Sequence, residues 1–225
     1  MSTAVSGSTE APRRQRNARG QGARLTSEIV SGALALIDRT GSDQAVTLRA
    51  VAREVGIAAP SIYAHFPDRD AIVMAVVGQI FDELASQIRR GIAAAPDDPV
   101  DRLIAGCEAY VAFGLDHPAR YGVLFSGRRT AAAEHESPSR GPAGRPALPS
   151  GATAFALLVD SIEECVRAGA SASTDLAGDA TAVWVALHGL VSLRTALADR
   201  FPWPSPAGFV RGLVLTLARI TAPAA

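Results

Sequence analysis

Apolar residues first recur at helical spacing just after Thr26, where Ile29, Ala33, Leu36 and Ile37 share one face until Gly41 ends the pattern. Thr26 is the expected N-cap of this helix. Two short helices follow, over about 47–54 and 58–64, separated by Gly56 and closed by Pro67. A long helix is predicted over 68–90, with Ile72, Ala75, Val76, Ile80 and Leu84 along one face. Ala95-Pro96-Asp97-Asp98-Pro99 reads as a linker, and further helices are predicted near 100–115, 118–126, 151–169, 173–198 and 205–221. Strand-like alternation and internal repeats are both missing from the sequence, so the pattern predicts an all-α chain of about nine helices.

Two stretches fall outside this periodicity. Residues 1–22 carry Ser, Thr, Gly, Ala and Arg without an apolar period and read as a disordered arm. Arg13, Arg14, Arg16, Arg19 and the following Arg24 make its distal half basic. Residues 127–150, rich in Arg, Ser, Pro and Gly, read as a long mobile loop.

Composition supports the helical reading. Hydrophobic residues make up 48% of 225 residues, enough for a sizeable core, and alanine, the best helix former, is frequent. The net charge is zero but unevenly placed. Residues 1–69 hold nine Arg against six acidic residues, a balance of +3, and residues 70–225 hold thirteen against sixteen, a balance of −3. A basic first third joined to an acidic remainder points to a polyanion partner for the first part alone. The two cysteines, Cys107 and Cys165, are too few for a disulfide framework and match no zinc spacing. With no N-terminal apolar signal segment and apolar runs interrupted short of a membrane span, a reduced, cytoplasmic protein is expected.

The most informative stretch is 47–66. Ala52 supplies the small residue that two steeply crossing helices need, and Gly56, four residues on, tolerates the positive φ of a tight turn. Val51, Val55, Ile57 and Ile62 form an apolar seam between the helices. Thr47 can cap the first, and Pro60 sits where a helix's first turn has no use for its missing N–H. The spacing fits a helix-turn-helix and equally a plain helical hairpin. The basic arm and the exposed Arg49, Ser61, Tyr63 and His65 favour the former.

The segment 23–77, with Leu48-Arg49-Ala50-Val51-Ala52, Val55-Gly56-Ile57 and Ser61-Ile62-Tyr63-Ala64-His65-Phe66-Pro67-Asp68-Arg69, resembles the N-terminal domain of the TetR family of transcriptional repressors. Trp184-Val185-Ala186-Leu187-His188-Gly189, and less specifically His117-Pro118-Ala119-Arg120-Tyr121 with Leu124-Phe125, resemble a C-terminal Trp-His-Gly (WHG) subfamily of it. The resemblance implies phosphate contacts from Thr47, Tyr63, His65 and Arg69. Family recognition helices open with a capping Ser and a basic residue. Here those positions are Ala58 and Ala59, so readout by Ala59 and Pro60 falls to thymine methyl groups. It further implies a DNA-binding region at 23–69, a ligand-binding and dimerisation region at 70–225, and the 68–90 helix joining them.

In the C-terminal part Trp184 and His188 lie four apart on one helical face. Together with Tyr110, Phe113, Phe125 and Phe155 they either line an apolar effector cavity, as the family would imply, or form an ordinary aromatic core. His188 is either the polar handle of that cavity or a packed, satisfied imidazole. Leu187, Leu190, Val191, Leu193 and Leu197, then Phe209, Val210, Leu213, Val214 and Leu217, form stripes wider than one packed face requires, as a homodimer interface would. The expected function is a repressor that binds a pseudo-palindromic double-stranded operator as a dimer and is released by a small apolar effector. The alternative is a ligand-independent helical DNA-binding or protein-interaction adaptor. No cofactor, metal site or catalytic set is expected, because the sequence offers no phosphate loop, nucleophile elbow or metal spacing.

Overall fold

The computed structural model describes residues 21–126 and 152–221. Most of the arm and the whole 127–150 segment lie outside the described residues. Nine α-helices are present among the described residues: α1 (Gln21–Thr40), α2 (Leu48–Val55), α3 (Ala59–Ile62), α4 (Arg69–Ala94), α5 (Pro99–Asp116), α6 (Pro118–Leu124), α7 (Ala152–Arg167), α8 (Leu176–Leu197) and α9 (Pro206–Leu217). They form an N-terminal three-helix region and a larger C-terminal helical domain. The described residues hold no sheet, only an isolated antiparallel bridge between Ser171 and Ile220.

Local chemistry sets most of the boundaries. Asp68, Asp98 and Asp175 cap α4, α5 and α8 by accepting from backbone N–H groups two or three residues ahead. Pro99, Pro118 and Pro206 occupy first turns, where a proline leaves no hydrogen bond unmade. Gly41, at φ +74°, ends α1. The start of α1 departs from the sequence expectation. Gln21, the first described residue, is already helical, so Thr26 lies within α1, and its hydroxyl donates back to the Gly22 carbonyl at 3.0 Å. With no apolar period in this first turn, periodicity alone placed the start too late.

α4 links the two parts. Ile72, Val76, Ile80, Leu84 and Ile88 are buried along it, and it packs on α1, α5, α6 and α7. The α4–α5 approach is close at Gly91, where an added Cβ would sit 2.9 Å from the Ala109 Cβ. By length and composition alone α4 and α8, each of mean hydropathy 1.4, could cross a membrane. Both bury core residues against neighbouring helices and carry charges, among them Asp82, Glu83, Asp179 and Arg194, as the central helices of a bundle do.

Candidate functional site

α2 and α3 meet as a helix-turn-helix. The Thr47 hydroxyl accepts from the Ala50 N–H at 3.1 Å, Gly56 takes φ +74°, and the Ile57 N–H closes on the Ala52 carbonyl at 2.9 Å. Val51, Ala52 and Ile62 are buried in the seam. α1 supports the pair through an approach made possible by Gly32, where a Cβ would come within 2.6 Å of Val55. α3 is only four residues long, and Ala58 gives it no side-chain cap.

The outer side of this unit carries most of the residues singled out for DNA. Tyr63 is 62% exposed, Thr47, Arg49, Pro60 and Ser61 are exposed, and Ala59 is half-buried. Arg49 has no ion-pair partner among the described residues. Arg24 pairs with Glu28 at 2.8 Å on the surface of α1. His65 is half-buried and anchored, with Nδ1 2.9 Å from the Thr26 hydroxyl.

Arg69 points inward. Its Nε donates to the Val46 carbonyl (2.9 Å), Nη2 to the Asp43 carbonyl (2.6 Å) and carboxylate (3.0 Å), and Nη1 to Asp70 (3.1 Å). These bonds use four of the five guanidinium N–H groups. Arg69 therefore ties the start of α4 to the turn that delivers Thr47, whereas the sequence suggested a phosphate contact.

In the C-terminal domain, five of the six residues expected around an effector come together. Phe125 lies 4.5 Å from His188 and 6.3 Å from Trp184 between ring centroids, and Phe155 lies 6.1 Å from Trp184. The Tyr110 hydroxyl is 2.8 Å from that of Tyr121, which is 2.7 Å from Nδ1 of His188. Phe113 separates from this group. It is buried beside His117, at an open cleft of about 390 Å³ whose other walls include Gln79, Asp82 and Arg90 of α4.

Residues 29–76 match the bacterial regulatory proteins of the tetR family, and residues 103–214 match the tetracyclin repressor-like C-terminal domain. The chain belongs to the TetR family. An uncharacterized HTH-type transcriptional regulator of Mycobacterium tuberculosis is 37% identical over 104 residues, 45% of this chain and 46% of the relative. The HTH-type transcriptional regulator EthR of Mycolicibacterium smegmatis is 26% identical over 111 residues, 49% of this chain and 51% of EthR. The chain thus matches about half the length of these curated relatives. A solved protein of unknown function from Rhodococcus sp. RHA1 superposes with a TM-score of 0.66 at 22% identity, covering 86% of this chain and 91% of that one, and so shares the fold.

The TetR-family C-terminal match spans the aromatic cluster and Tyr121, which joins it. Tyr121 bridges Tyr110 to His188, and its ring lies tilted against that of Phe125 at 4.9 Å between centroids. The signal was there: Tyr121 belongs to the His117–Phe125 motif that resembles the WHG subfamily. Burial pushes the hydroxyls of Tyr110 and Tyr121 up, and depresses the His188 imidazole. With the ring neutral and its proton on Nε2, Nδ1 accepts from Tyr121 O–H, which in turn accepts from Tyr110 O–H. Nε2 then faces the Ser192 hydroxyl at the long distance of 3.4 Å.

The cysteines are buried and free. Burial raises Cys107 to about 12 and Cys165 to about 11, which leaves neither a reactive thiolate at neutral pH. Among the described residues no group of three or more His, Cys, Asp or Glu is placed to hold a metal. TetR-family regulators are DNA-binding, non-catalytic proteins.

Proposed function

We propose that the chain is a dimeric repressor that binds a pseudo-palindromic operator and is released by a small, largely apolar effector. In this reading residues 23–69 bind DNA, residues 70–225 bind the effector and dimerise, and the protein works in the cytoplasm. The observation that carries the DNA half is the exposed outer face of the helix-turn-helix, with Arg49, Ser61 and Tyr63 free of the core. Both curated relatives are named as HTH-type transcriptional regulators, in keeping with it. Tyr63, Thr47 and Arg49 contact phosphates, and Ala59 and Pro60 touch thymine methyls.

The effector half rests on the aromatic cluster. Phe125, Phe155 and Trp184 offer ring surface, and Tyr110, Tyr121 and His188 supply one hydrogen-bonded polar edge. An apolar wall with a few convergent polar groups is the usual character of a small-molecule site. The dimer half rests on Val185, Leu193, Leu197 and Phe209, which are exposed large apolar side chains on α8 and α9.

The test is duplex DNA binding by the full chain as a function of salt, using a duplex selected from a random pool. A slope of log affinity against log salt of several units is expected, as is release by compounds found in a fluorescence screen. Absence of any salt-dependent duplex retention would end this reading.

A further inference from the structure

α6 has seven residues, and two neighbours on it reach in different directions. Tyr121 enters the hydroxyl–imidazole chain that ends on His188 of α8. Arg120 grips Asp38 on the last turns of α1, with Nε at 2.8 Å and Nη2 at 2.7 Å, and Glu83 of α4 with Nη1 at 2.6 Å. Glu83 is steadied in turn by Gln79 at 2.9 Å.

The forked pair with Asp38 fixes orientation as well as distance. It also spans 82 residues of sequence, joining the C-terminal domain directly to the helix that supports α2 and α3. α1 meets the reading unit at two places: it approaches α2 at Gly32, and its Thr26 holds His65 in the turn just beyond α3. Besides the continuity of α4 and its packing on α1, this bridge from α6 fastens the two halves of the molecule. The side chain of Arg120 is 21% exposed, so the bridge is screened less than a surface pair.

We propose that Arg120 is the positioning residue that couples the aromatic cluster to the DNA-reading helices. A disturbance at His188 shifts Tyr121. Arg120, the adjacent residue on a helix of two turns, moves with it and carries Asp38, turning α1 with α2 and α3 upon it. Packed interfaces of this kind change between discrete arrangements rather than by continuous bending. The proposal rests on the function proposed above and adds a route from its effector site to its DNA site.

The experiment is a coupling cycle on the full chain that needs no effector. His188→Ala removes the acceptor of the Tyr121 hydroxyl and serves as the local disturbance. Affinity for the selected duplex is measured for the wild type, His188→Ala, Arg120→Gln and the double variant, with thermal melts confirming that each is folded. His188→Ala is expected to change affinity by roughly fivefold or more, within the usual range of such couplings, and by less than twofold in the Arg120→Gln background. Asp38→Asn, at a more exposed position, should abolish the His188 effect as Arg120→Gln does, whereas Glu83→Gln, which loosens only the α4 arm, should leave most of it. A purely structural role for Arg120 would lower stability but leave the His188 effect intact. An effect of equal size in the Arg120→Gln and Asp38→Asn backgrounds overturns the proposal while DNA binding by the wild type still stands. Failure of the wild type to retain any duplex overturns the proposed function and the coupling with it.

Discussion

The Arg69 guanidinium lies 2.6 Å from the Asp43 carbonyl and 2.9 Å from that of Val46, so the first residue of α4 is fastened to the turn in front of α2. Arg69→Ala leaves those carbonyls without this donor, which costs about 1–3 kcal/mol for a group that finds no replacement. The expected outcome is a lower melting temperature and weaker operator binding, with the salt slope unchanged. A slope flatter by about one unit would show instead that Arg69 meets a phosphate.

Arg49 should behave in the opposite way. It is exposed on the first turn of α2 and has no ion pair among the described residues. Arg49→Ala should leave the melting temperature within a degree or two and flatten the salt slope by about 0.9 for the lost phosphate contact. Titrations at four or more salt concentrations give that slope. An unchanged slope would remove Arg49 from the DNA face.

The contrast between these arginines shows what periodicity and motif could reveal. Apolar spacing located nine helices because burial faces repeat every three to four residues, and Gly56 with Ala52 marked the turn because few residues fit there. The same spacing says nothing about where a long, flexible charged side chain ends. Arg69 bends back to backbone carbonyls 23 and 26 residues away, and Arg120 reaches Asp38 across 82. Residue type alone groups Phe113 with the aromatic cluster, but α5 turns it toward His117 while Tyr110, three residues earlier, faces Tyr121. Rotation about a helix axis decides such partitions, and it is set by packing against α4, α6 and α8 that a sequence does not display.

Dimerisation can be tested on α8. Val185 is 59% and Leu193 53% exposed on the isolated chain, too much apolar surface for a solvated helix face. Val185→Glu with Leu193→Glu should convert a dimer to a monomer in sedimentation velocity at micromolar concentration, and should weaken operator binding by at least tenfold as the second half-site is lost. A wild-type chain that sediments as a monomer at that concentration would refute the assignment of this face.

Gly114 offers a test of packing behind the cluster. A Cβ built there would lie 2.5 Å from Cγ1 of Val191 and 2.9 Å from Cδ2 of Tyr121, so α5 can approach α8 and α6 only without a side chain at this position. Gly114→Ala should destabilise the fold by about 1–3 kcal/mol, the usual cost of overpacking, despite alanine's higher helix propensity. Chemical denaturation measures this, and a neutral or stabilising result would mean that the helices part without cost.

The His188 imidazole makes stability depend on pH in a predictable direction. Burial disfavours its charged form, so its folded-state pKa lies below the ordinary value of 6.5, which is kept when the chain unfolds. Between those two values the unfolded chain binds more protons than the folded one, and stability therefore rises with pH. The contribution is complete above about 6.5 and is lost as pH falls through the folded-state pKa. Protonation also reverses the local hydrogen bonding. Nδ1 would become a donor, so Tyr121 could no longer donate to it, and the chain running from Tyr110 would have to turn round. His188→Gln is neutral throughout this range and keeps an acceptor for Tyr121. Melting temperatures of both proteins, taken from pH 7.5 down to 5, isolate the histidine from every other titrating group. The wild type should lose more than His188→Gln over that interval, with the difference opening below pH 6.5. Parallel curves would mean that His188 is solvated alike in the folded and unfolded states, and that the 2.7 Å contact with Tyr121 does not hold the neutral ring in solution.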